Sequence, residues 1–136
     1  MELSPYILFS GQCEEAFKSY EKILSGKITA MHRHSEAPPA PHISPEWKNK
    51  IMHVSLQLGD YALMGSDAPP EYQQPAQGFS VSLVIKDPAE AERVFRGLSE
   101  NGKIKMPFQE TFWAHRFGMF TDRFGIPWMI NCPKPA

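Results

Sequence analysis

The sequence predicts an α+β fold made of two βαβββ modules in tandem, and three observations predict it. A strand-then-helix pattern occurs twice, with Tyr20 and Phe95 at matching helix positions about 75 residues apart. Each helix is followed by the same tripeptide, Gly26-Lys27-Ile28 and Gly102-Lys103-Ile104, which opens a new strand. Each half then closes on a hairpin, at Gly59-Asp60 and at Asp122 to Gly125. Element order, spacing and identities agree, which favours a duplication over two unrelated strand–helix units. The expected modules cover residues 3–67 and 78–132, joined by a linker at 68–77, within one domain of 1–136.

Tyr6-Ile7-Leu8-Phe9 is a short apolar run that stops at Ser10-Gly11, and it reads as a strand. Ala16, Phe17, Tyr20 and Leu24 then follow helical spacing, with charged residues on the other faces. Gly11 or Ser10 is the expected cap and Gly26 the expected end. Lys27 to His32 reads as a weak strand. Glu36 to His42 holds three prolines, which remove donors and fix φ, so residues 36–45 read as a loop. Met52 to Leu58 and Tyr61 to Met64 form the first hairpin, and Ala68 to Gln77 is the linker.

The second half opens with a strand from Phe79 to Ile85. Asp87-Pro88-Ala89-Glu90 combines a capping Asp, Pro at the first helical position and Glu in the first turn. Ala91, Val94, Phe95 and Leu98 form its buried stripe, and Asn101-Gly102 ends it. Met106 to Thr121 and Ile126 to Cys132 read as strands flanking the Asp122-Arg123-Phe124-Gly125 turn.

The chain has 136 residues, 42% of them hydrophobic, enough for a packed core. The net charge is −1 and no Lys/Arg cluster stands out in sequence, so neither nucleic acid nor an anionic membrane is expected as a partner. No apolar run approaches the roughly 20 residues of a membrane span. The start, Met1-Glu2-Leu3-Ser4-Pro5, does not read as a secretory signal. Cys13 and Cys132 make no disulfide framework, and a reducing cytoplasm is the expected location.

Several local strings match a known family. They are Leu3-Ser4-Pro5-Tyr6-Ile7 with Ser10-Gly11, Ala16 and Tyr20; His53 before the first hairpin; and Met64-Gly65-Ser66-Asp67 after it. The most specific runs from Gln109 through Phe112-Trp113-Ala114-His115-Arg116 to Trp128-Met129-Ile130-Asn131. Across nearly its whole length the chain resembles the PhnB-like branch of the glyoxalase/bleomycin-resistance (vicinal-oxygen-chelate) superfamily. The resemblance implies curled, antiparallel and mixed sheets around a cavity, and a homodimer. It also implies four strand positions that hold metal ligands in the metal-dependent members. Here those positions offer Pro5, Met64, Ser80 and Met129, none an imidazole or a carboxylate, so no metal is expected. PhnB-like sequences are often labelled as ubiquinone-pathway methyltransferases or linked to phosphonates. No glycine-rich cofactor loop and no basic cluster supports either label, and no cofactor is expected.

Strand parity selects the candidate site. A two-residue turn at Gly59-Asp60 pairs Leu58 with Tyr61, Ser55 with Met64 and His53 with Ser66. His53 then shares the face of Met64, either as a pocket residue or as a core histidine bound to backbone. Pairing Thr121 with Ile126 puts Gly118, Phe120, Met129 and Asn131 towards the cavity, and His115, Phe117 and Trp128 towards the helix. A bulge would reverse His115. Ser80 joins the pocket, with Trp113 and His115 at its rim. His32-x-His34 is a weak metal signal. Cys13 is read as a small buried side chain rather than an activated thiol. Glu14-Glu15 is read as first-turn carboxylates favoured by the helix dipole.

Three functions fit these residues. One is a metal-free cavity that binds a small, partly apolar molecule, with Phe9, Met64, Phe120 and Met129 as walls. Another is a metal-independent lyase, isomerase or transferase using His53 as general base. The third is an interaction protein with a vestigial cavity.

Overall fold

The structure, a computed structural model, describes residues 1–38 and 44–135. The chain divides into two units, Met1–Gln74 and Pro75–Ala136. In the first, β1 (Tyr6–Phe9), α1 (Cys13–Leu24), β2 (Lys27–Arg33), β3 (Ile51–Leu58) and β4 (Tyr61–Asp67) follow one another. In the second the same sequence recurs as β5 (Val81–Val84), α2 (Pro88–Ser99), β6 (Lys103–Gln109), β7 (Ala114–Thr121) and β8 (Pro127–Pro133). The strand orders are β1-β4-β3-β2 and β5-β8-β7-β6. In each sheet the first strand runs parallel to the last and the other pairs are antiparallel. The fold is therefore α+β with two four-stranded mixed sheets, neither closed into a barrel.

One face of each sheet is covered by its helix. In the first unit Ile7, Phe9, Val54, Leu56 and Leu63 are buried together with Ala16, Phe17 and Tyr20 of α1. Phe17 meets Phe9 and Tyr20 edge-on at 5.9 and 5.6 Å. Each such aromatic stabilises the fold by roughly 2–3 kcal/mol of apolar burial. In the second unit Phe95 of α2 lies on Phe108 and Phe120 at 5.0 and 5.1 Å.

The two helices start by different means. Asp87 accepts the Glu90 N–H at 3.2 Å, with Pro88 at the first helical position, as its sequence predicts. Neither Ser10 nor Gly11 caps α1. Gln12 holds the cap position without a side-chain hydrogen bond. The Asp67 carboxylate, at the end of β4, accepts instead from Gly11 N (2.8 Å) and Cys13 N (3.0 Å), and also from Ile51 N (2.9 Å). Asp67 is 1% exposed, so one buried carboxylate ties the head of α1 to two strands.

The helices end where the sequence predicts, within a residue or two. The left-handed residues are Ser25 (φ 54°) and Asn101 (φ 59°), not the glycines after them. Gly26 and Gly102 matter for close approach. A Cβ on Gly102 would sit 2.3 Å from the Thr121 carbonyl oxygen, and one on Gly26 2.8 Å from that of Gln57.

The first hairpin has the predicted register, Leu58 with Tyr61 and Ser55 with Met64. The second is shifted by one residue: Thr121 pairs with Pro127, Phe120 with Trp128 and Met119 with Met129. The cause is Asp122. Its N–H donates to the Ile126 carbonyl, and its carboxylate accepts from the N–H groups of Phe124 and Ile126 and from the Trp128 indole. Ile126 therefore belongs to the turn rather than to the strand. Three smaller differences follow. The strand expected over Phe79–Ile85 shortens to β5. A turn at 110–113 separates β6 from β7. The Pro-rich stretch gives short 3-10 turns at His34–Glu36 and Pro45–Trp47, while residues 39–43, His42 among them, lie outside the described residues.

Glu14 has a role beyond the helix dipole. Arg33 of β2 donates to both its oxygens, at 3.0 and 2.8 Å, and Lys18 approaches at 2.9 Å. The Arg33 hydrogen bonds, then that of Lys18, lower the Glu14 carboxyl from an ordinary 4.5 to about 2. A depressed carboxyl pKa contributes stability above pH 4.5 that is lost as pH falls towards 2. With a third of the side chain exposed, solvent screening limits this to about 1 kcal/mol. Urea denaturation at several pH values should show Arg33→Ala losing less stability than wild type across that window. Identical acid limbs would remove the ion pair from the pH dependence.

Candidate functional site

In the first unit the sheet face opposite the helix collects the strongest candidates. Gly65 lies on the helix side, because a Cβ there would meet Phe17 at 2.8 Å. Its neighbours Met64 and Ser66 therefore occupy the opposite face. Ser55 pairs with Met64 and Tyr6 lies beside Met64 across the parallel ladder. His53 has the parity of Ser55, so His53, Ser55, Met64 and Ser66 share this helix-free face, as hairpin parity predicts.

Sequence reasoning missed Tyr6. Its hydroxyl lies 3.0 Å from His53 Nδ1, and the two rings stack at 5.7 Å with 24° between planes. Tyr6 and Leu8 are each 46% exposed, whereas Ile7 and Phe9 point into the core. The alternation of Tyr6-Ile7-Leu8-Phe9 carries this signal. The face thus offers aromatic and aliphatic surface around one oriented imidazole, a suitable lining for a partly apolar molecule with a polar group.

The other histidines are used separately. His32 pairs with His53 across β2 and β3, and its Nδ1 lies 3.3 Å from Glu36. His34 has left the strand, and its Nε2 lies 3.1 Å from the Asp67 carbonyl oxygen. His32-x-His34 therefore does not act as a strand pair. Cys13 and Cys132 are buried. Burial, with Asp67 and Glu14 nearby, pushes the Cys13 thiol up, so Cys13 is no activated nucleophile.

In the second unit the register shift revises the site. Phe120 pairs with the buried Trp128 and packs under α2, so it is core rather than wall. Gly118 moves the same way, since a Cβ there would meet Phe95 at 2.5 Å. Phe117 and Met119 take their place opposite Asn131 and Met129 on the helix-free face. Trp128 stays in the core, as parity predicts. Ser80 precedes β5, and Ser82, two residues on, lies beside Met129. The buried Oδ1 of Asn131 has no hydrogen-bond partner among the described residues. Trp113 is half exposed and meets Phe117 edge-on at 5.4 Å. His115 sits at a bulge in β7, in a separate cleft with Lys86, Pro88, Pro133, Lys134 and Pro135.

The donor set does not fit a divalent metal. Pro5 gives only its carbonyl, to Met64 N at 3.1 Å. The residues flanking Met64 and Met129 are Tyr6 and Ser82. Within the first unit a phenol, a thioether and one imidazole, and within the second a hydroxyl and a thioether, each make a poor set for a hard or borderline ion.

Comparison with known proteins places this architecture. A family model described as 3-demethylubiquinone-9 3-methyltransferase matches residues 1–131. The chain belongs to this family, and its two sheet-and-helix units match the glyoxalase-like fold. It is 37% identical to Protein YjdN of Escherichia coli K12, over 98% of this chain and 97% of that one. It is 46% identical to protein PA1353 of Pseudomonas aeruginosa, with TM-score 0.90 and 99% of each chain covered. A PhnB protein of Bacillus cereus, a putative 3-demethylubiquinone-9 3-methyltransferase, shares the fold at 21% identity and TM-score 0.81, over 97% and 99%. The PhnB-like fold extends to the fosfomycin resistance protein FosX of Mesorhizobium loti (11%, TM-score 0.63, over 98% and 92%). It extends also to TnmS3, an antibiotic-binding protein of a Streptomyces species (18%, TM-score 0.58, over 98% of each). The family's fold thus includes antibiotic-binding and resistance proteins. Among the described residues no helix is long and apolar enough to cross a membrane.

Proposed function

We propose that this chain is a metal-free binding protein for a small, partly apolar molecule, with Tyr6, His53, Ser55, Met64 and Ser66 as its principal contacts. The observation that carries the reading is the Tyr6–His53 pair, an oriented polar handle beside exposed apolar surface. In the second unit, taken by itself, Ser80, Met129 and Asn131, with Trp113 at the rim, are proposed as a separate contact surface. The antibiotic-binding neighbour TnmS3 supports the ligand class. The methyltransferase in the family's description finds no support in a glycine-rich turn: Ser10-Gly11-Gln12 before α1 holds one glycine and Ile85-Lys86-Asp87 before α2 none. A thermal-shift screen of hydrophobic metabolites and antibiotics is the test. A ligand at 100 times its Kd stabilises by about 2.7 kcal/mol, a rise of roughly 9 °C for a chain of this size. A hit should lose most of its shift in Tyr6→Phe and His53→Ala, and hits that ignore both variants would count against this site.

The Tyr6 contact also favours a second reading, a metal-independent enzyme with His53 as general base. If Tyr6 donates to Nδ1, the proton sits on Nε2 and the ring has no lone pair free for a substrate. If Nδ1–H donates to the phenol oxygen, Nε2 is free to take a proton. Nitrogen-15 spectra of the imidazole decide: protonated Nε2 supports the binder, protonated Nδ1 the enzyme.

The assembly proposed is a cytoplasmic homodimer. Both sheets have open edges that pairing would cover, and the buried free thiols suit a reducing compartment. Sedimentation at micromolar concentration should give a particle near twice 15.4 kDa, and a monomer alone would reject the dimer.

A further inference from the structure

The second unit carries a cleft of about 440 Å³ lined by Lys86, Pro88, His115, Pro133, Lys134 and Pro135. We propose that this cleft binds a small organic anion, its carboxylate or phosphate held by Lys86, Lys134 and His115 and its apolar body against the prolines. No basic cluster is visible in the sequence, because the three groups come from separate segments. Lys86 follows β5, His115 sits at the bulge of β7, and Lys134 continues β8. The parallel pairing of β5 with β8 brings the first and last of these segments to one end of the sheet.

The charge balance of the cleft is one-sided. Among the described residues its lining holds three basic side chains and no carboxylate. Among the described residues neither lysine has an ion-pair partner. The acids nearest Lys86 in sequence are engaged by the helix: Asp87 accepts from Glu90 N, and Glu90 pairs with Arg93. Unpaired like charges gathered in a concavity raise the local potential, which an anion relieves. The helix end adds little beyond its dipole, since Pro88 has no N–H and the Glu90 N–H is already taken. Binding therefore rests on the side chains. The prolines supply apolar walls with fixed φ. The volume matches a small organic molecule rather than a polymer.

This site uses neither Tyr6 nor His53 and is independent of the function proposed above. The probes are benzoate, phenyl phosphate and neutral benzamide, titrated into the full chain at constant ionic strength. The readout is the imidazole proton resonance of His115, assigned with His115→Gln. Benzoate or phenyl phosphate should shift it saturably, and benzamide should not. The double variant Lys86→Ala/Lys134→Ala should weaken anion binding at least tenfold while melting within 2 °C of wild type. Tighter phenyl phosphate would identify the phosphate as the preferred group, and tighter benzoate the carboxylate. Absence of a saturable shift with both anions, an equal response to benzamide, or unchanged affinity in the double variant would overturn the proposal. Should the double variant not fold, the single Lys134→Ala, on an exposed residue, gives the same comparison with a threefold loss expected.

Discussion

Asp67→Ala is expected to destabilise the protein by about 4 kcal/mol, with a lower urea midpoint and an unchanged slope. Three backbone N–H groups converge on this carboxylate from the start of α1 and the start of β3. Hydrogen bonds to a charged acceptor contribute about 1.5–3 kcal/mol each, and buried donors left without a partner keep their desolvation penalty. The sum falls short of three full bonds, because water can enter where Gly11 is only part-buried. Asp67→Asn should retain about half the stability difference, since its NH₂ replaces one acceptor with a donor facing another N–H. Asp60→Ala, on an exposed turn, is the control and should change stability by less than about 0.5 kcal/mol. A loss below about 1 kcal/mol in Asp67→Ala would mean that the head of α1 is held by packing alone.

Gly102→Ala should cost about 3 kcal/mol, at the upper end of what overpacking usually does. The added methyl would stand 2.3 Å from the Thr121 carbonyl oxygen, 3.0 Å from Asp122 Cα and 3.1 Å from the Ser99 carbonyl oxygen. All three are backbone atoms, so the helix end and the end of β7 must separate. Gly26→Ala should cost less, about 2 kcal/mol, because its shortest contact, 2.5 Å to Leu58 Cδ2, is a side-chain end that can rotate and only one close atom, the Gln57 carbonyl oxygen at 2.8 Å, is backbone. Gly59→Ala meets nothing within 4 Å and bears only the strain of φ +61°, about 1 kcal/mol. Denaturation of the three variants should rank them in that order. Gly59→Ala as the worst would show that backbone conformation, not close packing, governs these glycines.

Legibility followed the sequence distance of the interactions involved. Asp87, Pro88 and Glu90 lie within one turn, so the start of α2 was readable. The cap of α1 was not, because Asp67 lies 54 residues from Cys13. The first hairpin register followed from a two-residue turn, whereas the second depended on which groups the Asp122 carboxylate would accept. That side chain moved Phe120 from wall to core and Phe117 the other way. His53 could be placed by parity, but its partner Tyr6 is 47 residues away and joins it only through the β1–β4 ladder. The family resemblance alone offers Pro5 as the first strand's site position, whereas burial of Ile7 and Phe9 puts Tyr6 on the helix-free face. Lys86, His115 and Lys134 become neighbours only once β5 and β8 are paired.

Calorimetric titration of the strongest ligand from the screen into wild type, His53→Ala and Tyr6→Phe tests the binding reading most directly. Both residues lie at the surface of the sheet rather than in its core, so both variants should fold. The account predicts at least tenfold weaker binding in His53→Ala, about 1.4 kcal/mol, and a smaller loss in Tyr6→Phe, which keeps the ring and gives up the contact to Nδ1. Affinities equal to wild type in both variants would contradict it, and would move the ligand away from this face.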